Sequence, residues 1–295
     1  MIHVPVLLQE VIEGLALQNG DILIDGTLGN AGHTKAILDL GLDIKIIGID
    51  KDEDALERSR KLLGDDSRVT LVQGSYADLE SILEKLGIPN ITKALFDFGF
   101  SSDQIENSGR GFTFQKNEPL LMTYERDPKE ETVTARDMVN LWDEDTIRTI
   151  IRSYGDERFA GRIAKGIVKA RESKPIETTD DLIAIIKAAT PAGYGRGKIH
   201  PATRTFQALR IAVNDELTTV TNGIEAAFRA LSPHGRIAAI SFHSHEDRIV
   251  KHHFKSWVAV GSAIAVTKKP IVPKQEEVER NPRSRSSKLR VIEKA

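Results

Sequence analysis

The sequence contains no cysteine, and this absence excludes several kinds of site at once. A disulfide scaffold, a thiolate zinc site, an iron–sulfur cluster and a cysteine nucleophile all require that residue. No apolar run approaches the roughly 18 residues that a membrane-spanning helix needs. The segment Met1-Ile2-His3-Val4-Pro5 lacks the basic start and apolar core of a signal peptide. Together these features predict a cytoplasmic protein without a membrane anchor.

An excess of charge of either sign is also missing. The 295 residues include 41 Lys and Arg against 43 Asp and Glu, which gives a net charge of -2. Overall charge therefore does not indicate a nucleic-acid partner, and any such contact must come from local patches. Hydrophobic residues make up 40% of the chain and charged residues 28%, as in an ordinary globular protein.

Short β-branched runs alternate with segments of helical spacing in the first hundred residues. The runs lie at 22–24, 44–49, 69–72 and 94–96. Between them, apolar residues recur three to four positions apart, which indicates amphipathic helices. This alternation predicts an α/β domain with a doubly wound parallel sheet.

The alternation stops after Phe98, and no comparable strand follows until 236–242. The intervening sequence predicts helices, capped by Thr134, by Asp156 and by Thr178 or Thr179, and another that starts at Pro201. Closing strands are predicted at 263–266 and 289–292. We therefore expect a discontinuous α/β domain, 1–105 and 201–295, with a helical substrate-recognition insertion at 106–200.

Three acidic residues, Asp25, Asp50 and Asp97, each end a predicted strand, so we expect them at the C-terminal edge of the sheet, where ligands of such folds bind. Asp25 precedes a loop with the spacing G-x-x-G-x-x-G, not the G-x-G-x-x-G of dinucleotide sites. An acid there would repel a pyrophosphate and suit the ammonium group of S-adenosylmethionine, while Asp50 suits ribose hydroxyls. A ligand-free tight turn and, for Asp50, a helix cap or solvated acid remain the alternatives.

Longer motifs carry a family resemblance almost end to end. They are His3-Val4-Pro5-Val6-Leu7-Leu8, Asp25-Gly26-Thr27-Leu28-Gly29, Asp97-Phe98-Gly99-Phe100-Ser101-Ser102-Asp103-Gln104, Arg110-Gly111-Phe112-Thr113-Phe114, Tyr154-Gly155-Asp156-Glu157-Arg158, His200-Pro201-Ala202-Thr203-Arg204-Thr205-Phe206-Gln207, Ser241-Phe242-His243-Ser244 and Asn281-Pro282-Arg283-Ser284-Arg285-Ser286. In these motifs the chain resembles the RsmH (MraW) family. The resemblance implies a class I methyltransferase that uses S-adenosyl-L-methionine to methylate the N4 amine of a decoding-region cytidine in small-subunit (16S) ribosomal RNA.

The resemblance also implies cofactor contacts, to which the loop and strand ends add Asp25 and Gly29. The implied residues are Ala31, Gly32, His33, Asp50, Tyr76, Asp97 and Gln104. For catalysis we expect Asp97 to contact the cofactor or the amine, with Ser101, Ser102 or a backbone carbonyl as hydrogen acceptor. Turn formation is the alternative for the serines, and half-buried core packing is the alternative for Tyr76.

The chain departs from the family pattern at a few positions. Ala31 replaces a usual glycine, and its methyl group could narrow the cofactor pocket. Leu121 and Thr123 replace a usual aspartate and arginine, which leaves open a non-catalytic RNA-binding assembly factor. A nucleotide-dependent oxidoreductase is a further alternative that the loop spacing disfavours. No metal is predicted, because the acids after His243 fit the first turn of a helix capped by Ser244.

Local basic clusters suggest where ribosomal RNA or a 30S particle could bind. The spacing of Arg158, Arg162, Lys165 and Lys169 puts them on one helix face. Further candidates are Arg204 and Arg210 on the helix after Pro201, and Arg283 and Arg285 in the basic tail 280–294. A solvated surface is the alternative for both clusters. The oligomeric state, a dimer included, stays open.

Overall fold

The computed structural model describes residues 5–99, 108–195 and 199–295. Ser101, Ser102 and Gln104, for which site roles are predicted, lie outside the described residues. The chain divides into two compact units, one of Met1–Gly99 with Leu217–Ala295 and one of Phe100–Glu216. Each has its own hydrophobic core.

The strands of the first unit form one seven-stranded sheet in the order β3-β2-β1-β4-β5-β7-β6. In chain order they are β1 (Ile22–Asp25), β2 (Lys45–Asp50), β3 (Val69–Gln73), β4 (Ile91–Asp97), β5 (Leu231–Ser241), β6 (Ala263–Ala265) and β7 (Lys288–Lys294). Strands β1 to β5 run parallel, and β7 is antiparallel to both β5 and β6. This confirms the doubly wound sheet and the class I methyltransferase fold that the resemblance implies.

The helices flank this sheet or build the second unit. They are α1 (Leu8–Leu15), α2 (Gly32–Leu38), α3 (Glu53–Leu63), α4 (Leu79–Leu86), α5 (Ala135–Leu141), α6 (Glu144–Gly155), α7 (Ala160–Arg171), α8 (Thr179–Ala189), α9 (Thr203–Val213), α10 (Glu216–Ala230), α11 (Ser244–Ala259) and α12 (Gln275–Arg280), with 3₁₀ turns at Tyr76–Asp78 and Pro282–Ser286. Within the described ranges, none of them combines the length and hydropathy needed to span a bilayer.

Capping side chains account for two predicted helix starts in the second unit. Thr134 accepts a hydrogen bond from the backbone N–H of Asp137, whose carboxylate accepts from the backbone of Thr134. Thr178 and Asp181 form the same reciprocal arrangement before α8. Such capping boxes satisfy backbone donors that the first turn leaves open, and the predictions at Thr134 and Thr178 are confirmed.

The prediction for Asp156 is wrong. Asp156 does not start α7 but follows the end of α6 in the left-handed region, at φ 50°. Asp143 caps α6 by accepting from the Thr146 backbone N–H at 2.9 Å. Asp is one of the few non-glycine residues that tolerate the left-handed conformation after a helix, so its preference for caps could not tell the two ends apart.

The second unit extends beyond the predicted insertion of 106–200 at both ends. Helix α9 belongs to it because Phe206 and Leu209 are buried in its core, alongside Ile151 of α6 and Ile163 of α7. The backbone of Gly155 in α6 lies so close to Arg204 of α9 that a Cβ at position 155 would be 2.4 Å from the Arg204 carbonyl oxygen. This close packing places α9 with the helices of the second unit.

Candidate active site

Three carboxylates meet at one edge of the sheet in the first unit. Asp25, Asp50 and Asp97 are the last residues of β1, β2 and β4, and β1 pairs in parallel with each of the other two strands. Burial is the main reason why the pKa of both Asp50 and Asp97 is raised, and the charge of Asp25 adds to this effect. The carboxylate of Asp25 therefore lies close enough to the other two to disfavour their ionisation, and a cation placed among them would be stabilised.

Asp25 is tied into the protein by both of its oxygens. It is 2% exposed. Its Oδ2 accepts a hydrogen bond from the Thr34 hydroxyl at 2.7 Å, and its Oδ1 accepts from the Thr27 backbone N–H at 3.3 Å. Burial raises the pKa of Asp25 to about 6, against the lowering effect of these hydrogen bonds. Asp25 thus fixes the turn from β1 into α2 and contributes negative charge to the site.

Asp50 shapes the same loop from the second strand. Its Oδ2 accepts from the backbone N–H of Gly29 at 2.8 Å, and its Oδ1 accepts from that of Asp52 at 2.9 Å. Burial raises the pKa of Asp50 to about 6. The helix cap on α3 is Asp52, whose side chain accepts from the Asp54 backbone N–H, so the cap alternative does not describe Asp50.

Asp97 differs from the other acids because one of its oxygens is buried without a partner. Among the described residues, nothing donates a hydrogen bond to its Oδ1. Its backbone N–H donates to the Thr27 hydroxyl at 2.6 Å, which fixes the end of β4 against the loop. Burial, followed by the charges of Asp25 and Glu246, raises the pKa of Asp97 well above its usual value. Oδ1 of Asp97 is therefore a buried acceptor with no donor in residues 5–99, 108–195 and 199–295.

His33 joins Asp97 to the N-terminal segment. Its Nε2 lies 3.0 Å from the carbonyl oxygen of Val6, and its Nδ1 lies 3.7 Å from Oδ2 of Asp97. Next to it, a Cβ at Gly32 would be 2.8 Å from Cγ of Pro5, so only glycine allows this contact. Residue patterns did not indicate that Pro5 and Val6 pack on the loop. The motif around His3 was the signal that could have found them.

Ala31 occupies the left-handed region at φ 54° and is fully buried. Its methyl group lies in a small apolar cluster with Leu28 and Leu56. The cluster accounts for a side chain at a position where the backbone conformation favours glycine. The methyl group is thus part of the packing behind the loop, which is not the pocket-narrowing role that the substitution suggested.

Tyr76 packs among aromatic residues of the core. Its ring is 5.5 Å from that of Phe96 and 6.0 Å from that of Phe98, centroid to centroid. A Cβ at Gly223 would lie 2.2 Å from its Cδ2, so α10 approaches the ring closely. This is the half-buried packing given as the alternative for Tyr76. Stacking on an adenine stays a prediction.

Comparison with known proteins identifies the family. A model of the MraW methylase family matches residues 1–295. The chain belongs to this family. It is 46% identical over 290 residues to "Ribosomal RNA small subunit methyltransferase H" of Sulfurihydrogenibium sp. (strain YO3AOP1), covering 98% of each chain. It is 45% identical to the protein of that name from Deinococcus deserti, covering 100% of this chain and 94% of the relative.

Among solved structures, an rRNA methylase from Streptococcus thermophilus aligns over 100% of this chain and 98% of its own, with a TM-score of 0.43 and 14% identity. Membership in the methylase family makes the chain a methyltransferase, with S-adenosyl-L-methionine as its methyl donor. The site fits that group, because the buried carboxylates of Asp25, Asp50 and Asp97 at one sheet edge suit a cationic ligand that carries N–H and O–H donors.

The methylase presents a basic helix face in its second unit. Arg162, Lys165 and Lys169 of α7 are exposed, and the opposite face buries Ile163 and Ile167. Arg158 precedes the helix, so it does not continue the face as the spacing suggested. Its guanidinium lies 4.7 Å from the ring centroid of Phe159 and 5.2 Å from that of Tyr194.

Arg210, a predicted RNA contact, is buried. It is 7% exposed, and its guanidinium forms two hydrogen bonds with Glu216. It is therefore not available as a surface cation, and it does not belong to the proposed RNA surface. Arg204 is half-buried, and its Nη1 donates to the carbonyl of Asp156 at 3.3 Å.

The basic tail is divided between internal and exposed roles. Lys288 and Arg290 pair with Asp247 at 3.0 and 2.8 Å. Lys294 donates to the carbonyls of Phe228 in α10 and Leu231 at the start of β5. Arg283 and Arg285 are exposed. The tail thus offers fewer cations to a partner than its sequence suggests.

The acids after His243 belong to a helix start, as expected, but the capping residue differs. His243, not Ser244, caps α11, by accepting from the backbone N–H of Glu246, while the Glu246 carboxylate accepts from the His243 backbone. His243 holds the extended conformation that this position requires, and Ser244 is already the first helical residue.

Proposed function

We propose that this methylase transfers a methyl group from S-adenosyl-L-methionine to the exocyclic N4 amine of a cytidine in the decoding region of small-subunit ribosomal RNA. The names of its relatives, "Ribosomal RNA small subunit methyltransferase H", support ribosomal RNA of the small subunit as the substrate. The choice of a cytosine amine rests on the chemistry of Asp97.

The observation that carries this proposal is the buried Oδ1 of Asp97, which has no donor among the described residues. Leaving a buried acceptor unsatisfied costs about 1–3 kcal/mol. A site that keeps such an atom supports a ligand that supplies an N–H group. An exocyclic amine has two such hydrogens, and it can donate one while its nitrogen faces the methyl donor.

The amine is a poor nucleophile because its lone pair is delocalised into the cytosine ring. An acceptor for one amine hydrogen increases the electron density on nitrogen, and Asp97 at the rigid end of β4 serves as that acceptor. Ser101 and Ser102 follow it closely in the chain and remain proposed as additional acceptors. Alignment alone can contribute several kcal/mol, with an upper limit of about 7–11 kcal/mol.

Asp25, Asp50 and the loop between them would hold the methyl donor, which supplies an activated methyl group on a positively charged sulfur. Gly29, Ala31, Gly32 and His33 form the part of that loop nearest α2, and Asp50 already holds Gly29 in place. Tyr76 and Gln104 remain proposed contacts. The acids favour this cation because their own charges are unfavourable when nothing compensates them.

RNA would contact the exposed cations Arg162, Lys165 and Lys169 on α7 and Arg158 beside it, in the second unit. Arg204, Arg283 and Arg285 are proposed as further contacts. A target base that is stacked in RNA must leave its stack to reach a catalytic carboxylate.

The test is to incubate the purified protein with labelled S-adenosyl-L-methionine and small ribosomal subunits that lack the modification, and then to digest the RNA and identify the labelled nucleoside by mass spectrometry. N4-methylcytidine is expected. Label in another nucleoside would contradict the proposed target. Tight binding of subunits without any methyl transfer would support the non-catalytic assembly factor instead. An Asp97→Asn variant run in parallel controls for a contaminating methyltransferase.

A further inference from the structure

We propose that His33 and Asp97 act as one proton-accepting pair, which takes up the proton that the amine loses during methyl transfer. This inference rests on the proposed function for the source of the proton. The pairing itself rests on the geometry of the first unit alone, so the two can be tested separately.

The first observation shows which imidazole nitrogen of His33 carries the hydrogen. A backbone carbonyl can only accept, so Nε2 of His33, 3.0 Å from the Val6 oxygen, must carry a hydrogen. In the neutral ring, Nδ1 then has a lone pair and no hydrogen. The N-terminal segment thereby selects the tautomer whose basic nitrogen faces Asp97.

The second observation is that Nδ1 of His33 faces the carboxylate of Asp97. Nδ1 lies 3.7 Å from Oδ2 of Asp97, and both side chains are largely shielded from water, at 7% and 20% exposure. This separation is about 0.8–1.0 Å longer than a charge-assisted hydrogen bond, so the two side chains must move closer by that amount when a proton lies between them. Without a proton between them, two electron-rich atoms face each other in a site that is largely shielded from water. One added proton turns this repulsion into an attraction.

The surrounding charges act in the same direction. Among the described residues, Asp25 on β1 and Glu246 on α11 carry charges that act on Asp97, and both favour its protonation. Since two interacting groups share their titration, the relevant pKa belongs to the pair and not to either residue. The unprotonated pair is thus a stronger base than an isolated carboxylate, as a proton acceptor requires.

The reaction balances with this pair as acceptor. The amine nitrogen forms a bond to the methyl carbon while the bond between that carbon and sulfur breaks. Its electron pair stays on sulfur, which becomes a neutral thioether. The nitrogen becomes cationic and loses one proton to Oδ1 of Asp97, the oxygen without a partner among the described residues. Protonation of Oδ1 neutralises the carboxylate. Rotation of the carboxyl group then turns its O–H towards Nδ1 of His33, which shares the proton with Asp97.

The first test does not depend on any substrate. In protein carrying ¹⁵N-labelled histidine, NMR of the ligand-free protein should show His33 as the Nε2–H tautomer at high pH. The Nδ1 signal should report uptake of one proton as pH falls. In Asp97→Asn the midpoint of that change should move at least one pH unit lower. An Nδ1–H tautomer, or a midpoint unchanged in Asp97→Asn, would overturn the pairing.

The second test uses single-turnover methyl transfer between pH 6 and 9 at saturating S-adenosyl-L-methionine. In the wild type the rate should rise with pH to a plateau as the pair loses its proton. In His33→Gln the side-chain amide can still donate to Val6 but cannot titrate. The plateau should fall about tenfold and the pH-dependent limb should move to lower pH. Because the measurement is made at saturating S-adenosyl-L-methionine, a weaker affinity of the variant for the cofactor changes neither quantity.

A His33→Gln profile identical to that of the wild type would refute the role of the pair in catalysis. Loss of cofactor binding in parallel with the rate would assign His33 to binding only. If the wild-type enzyme labels a nucleoside other than N4-methylcytidine, the proposed function fails. The NMR result still decides whether the pair exists.

Discussion

The guanidinium of Arg210 donates two hydrogen bonds to the carboxylate of Glu216, from Nε at 2.7 Å and from Nη2 at 2.8 Å. Both side chains are only 9% exposed, and the hydroxyl of Tyr124 donates to the same carboxylate at 2.9 Å. A bidentate pair in such surroundings is strongly oriented. Arg210 therefore stabilises the second unit, although its sequence context suggested an RNA contact.

Replacing Arg210 by Met should lower the free energy of unfolding by about 3–5 kcal/mol, because it leaves Glu216 buried without its cation. Urea unfolding followed by circular dichroism measures this loss. In the fraction that stays folded, the salt dependence of RNA binding should equal that of the wild type. If the Arg210→Met protein is stable and its RNA binding depends less on salt than that of the wild type, Arg210 contacts RNA.

Asp25 should make the protein less stable as pH rises from about 4 to about 6. Its pKa is raised to about 6 in the folded protein, so the folded state binds more protons than the unfolded state in this window, and stability falls as pH increases. The loss is on the order of 3 kcal/mol. Asp25→Asn should remove this part of the slope in urea unfolding curves measured across the window.

Asp66→Asn is the matched control for this pH series. The hydrogen bonds with Arg68 lower the pKa of Asp66 to about 2, so its contribution is lost only as pH falls below about 4. The slope between pH 4 and 6 should therefore match that of the wild type. An equal change of slope in both variants would show that the effect does not come from burial of Asp25.

The sheet could be predicted because its signals are local. The runs that became β1 to β4 are short, β-branched and evenly spaced, and the closing strands β6 and β7 were also predicted. The ends of α6 and α7 were not, because Asp156 suits a helix start and a left-handed C-terminal position equally well. The burial of Arg210 and its pairing with Glu216 could not be predicted either, because the turn between α9 and α10 is what brings the two residues together.

The site was predicted in part. The positions of Asp25, Asp50 and Asp97 at one sheet edge follow from the alternation of strands and helices. Both oxygens of Asp25 have hydrogen-bond partners, whereas one oxygen of Asp97 has none in the part of the chain that the structure describes, and this difference depends on tertiary packing. The contact of His33 with Val6 likewise requires the N-terminal segment to fold back onto α2, which no periodicity indicates.

Ala31→Gly should leave affinity for S-adenosyl-L-methionine unchanged, because the methyl group lies against Leu28 and Leu56. Stability should change by less than about 1 kcal/mol. Glycine removes the cost of holding alanine in the left-handed conformation, about 1–2 kcal/mol. This gain is offset by the lost burial of a methyl group, about 0.8 kcal/mol, and by the greater entropy of the unfolded chain. Calorimetric titration and thermal unfolding measure the two quantities. A several-fold gain in affinity would mean that the methyl group narrows the pocket after all.

The basic face of α7 should contribute to RNA affinity through phosphate contacts. Replacing Arg162 and Lys165 together by Ala should reduce the slope of log affinity against log salt by about two units, one for each lost contact. Arg136→Ala is a suitable control, because the Arg136 guanidinium is exposed but already paired with Glu177. If the double variant and the control give the same slope as the wild type, the face is simply solvated.

The most direct test of the account is single-turnover methyl transfer by Asp97→Asn loaded with S-adenosyl-L-methionine, using unmodified small subunits as substrate. The asparagine keeps the shape of the side chain, and its amide oxygen still accepts a hydrogen bond, but it has no charge and cannot take up the proton. S-adenosyl-L-methionine should still bind through Asp25, Asp50 and the loop between them, and transfer should fall at least about a thousandfold, within the range that combined loss of base catalysis and charge stabilisation produces. Transfer at near the wild-type rate would contradict the account.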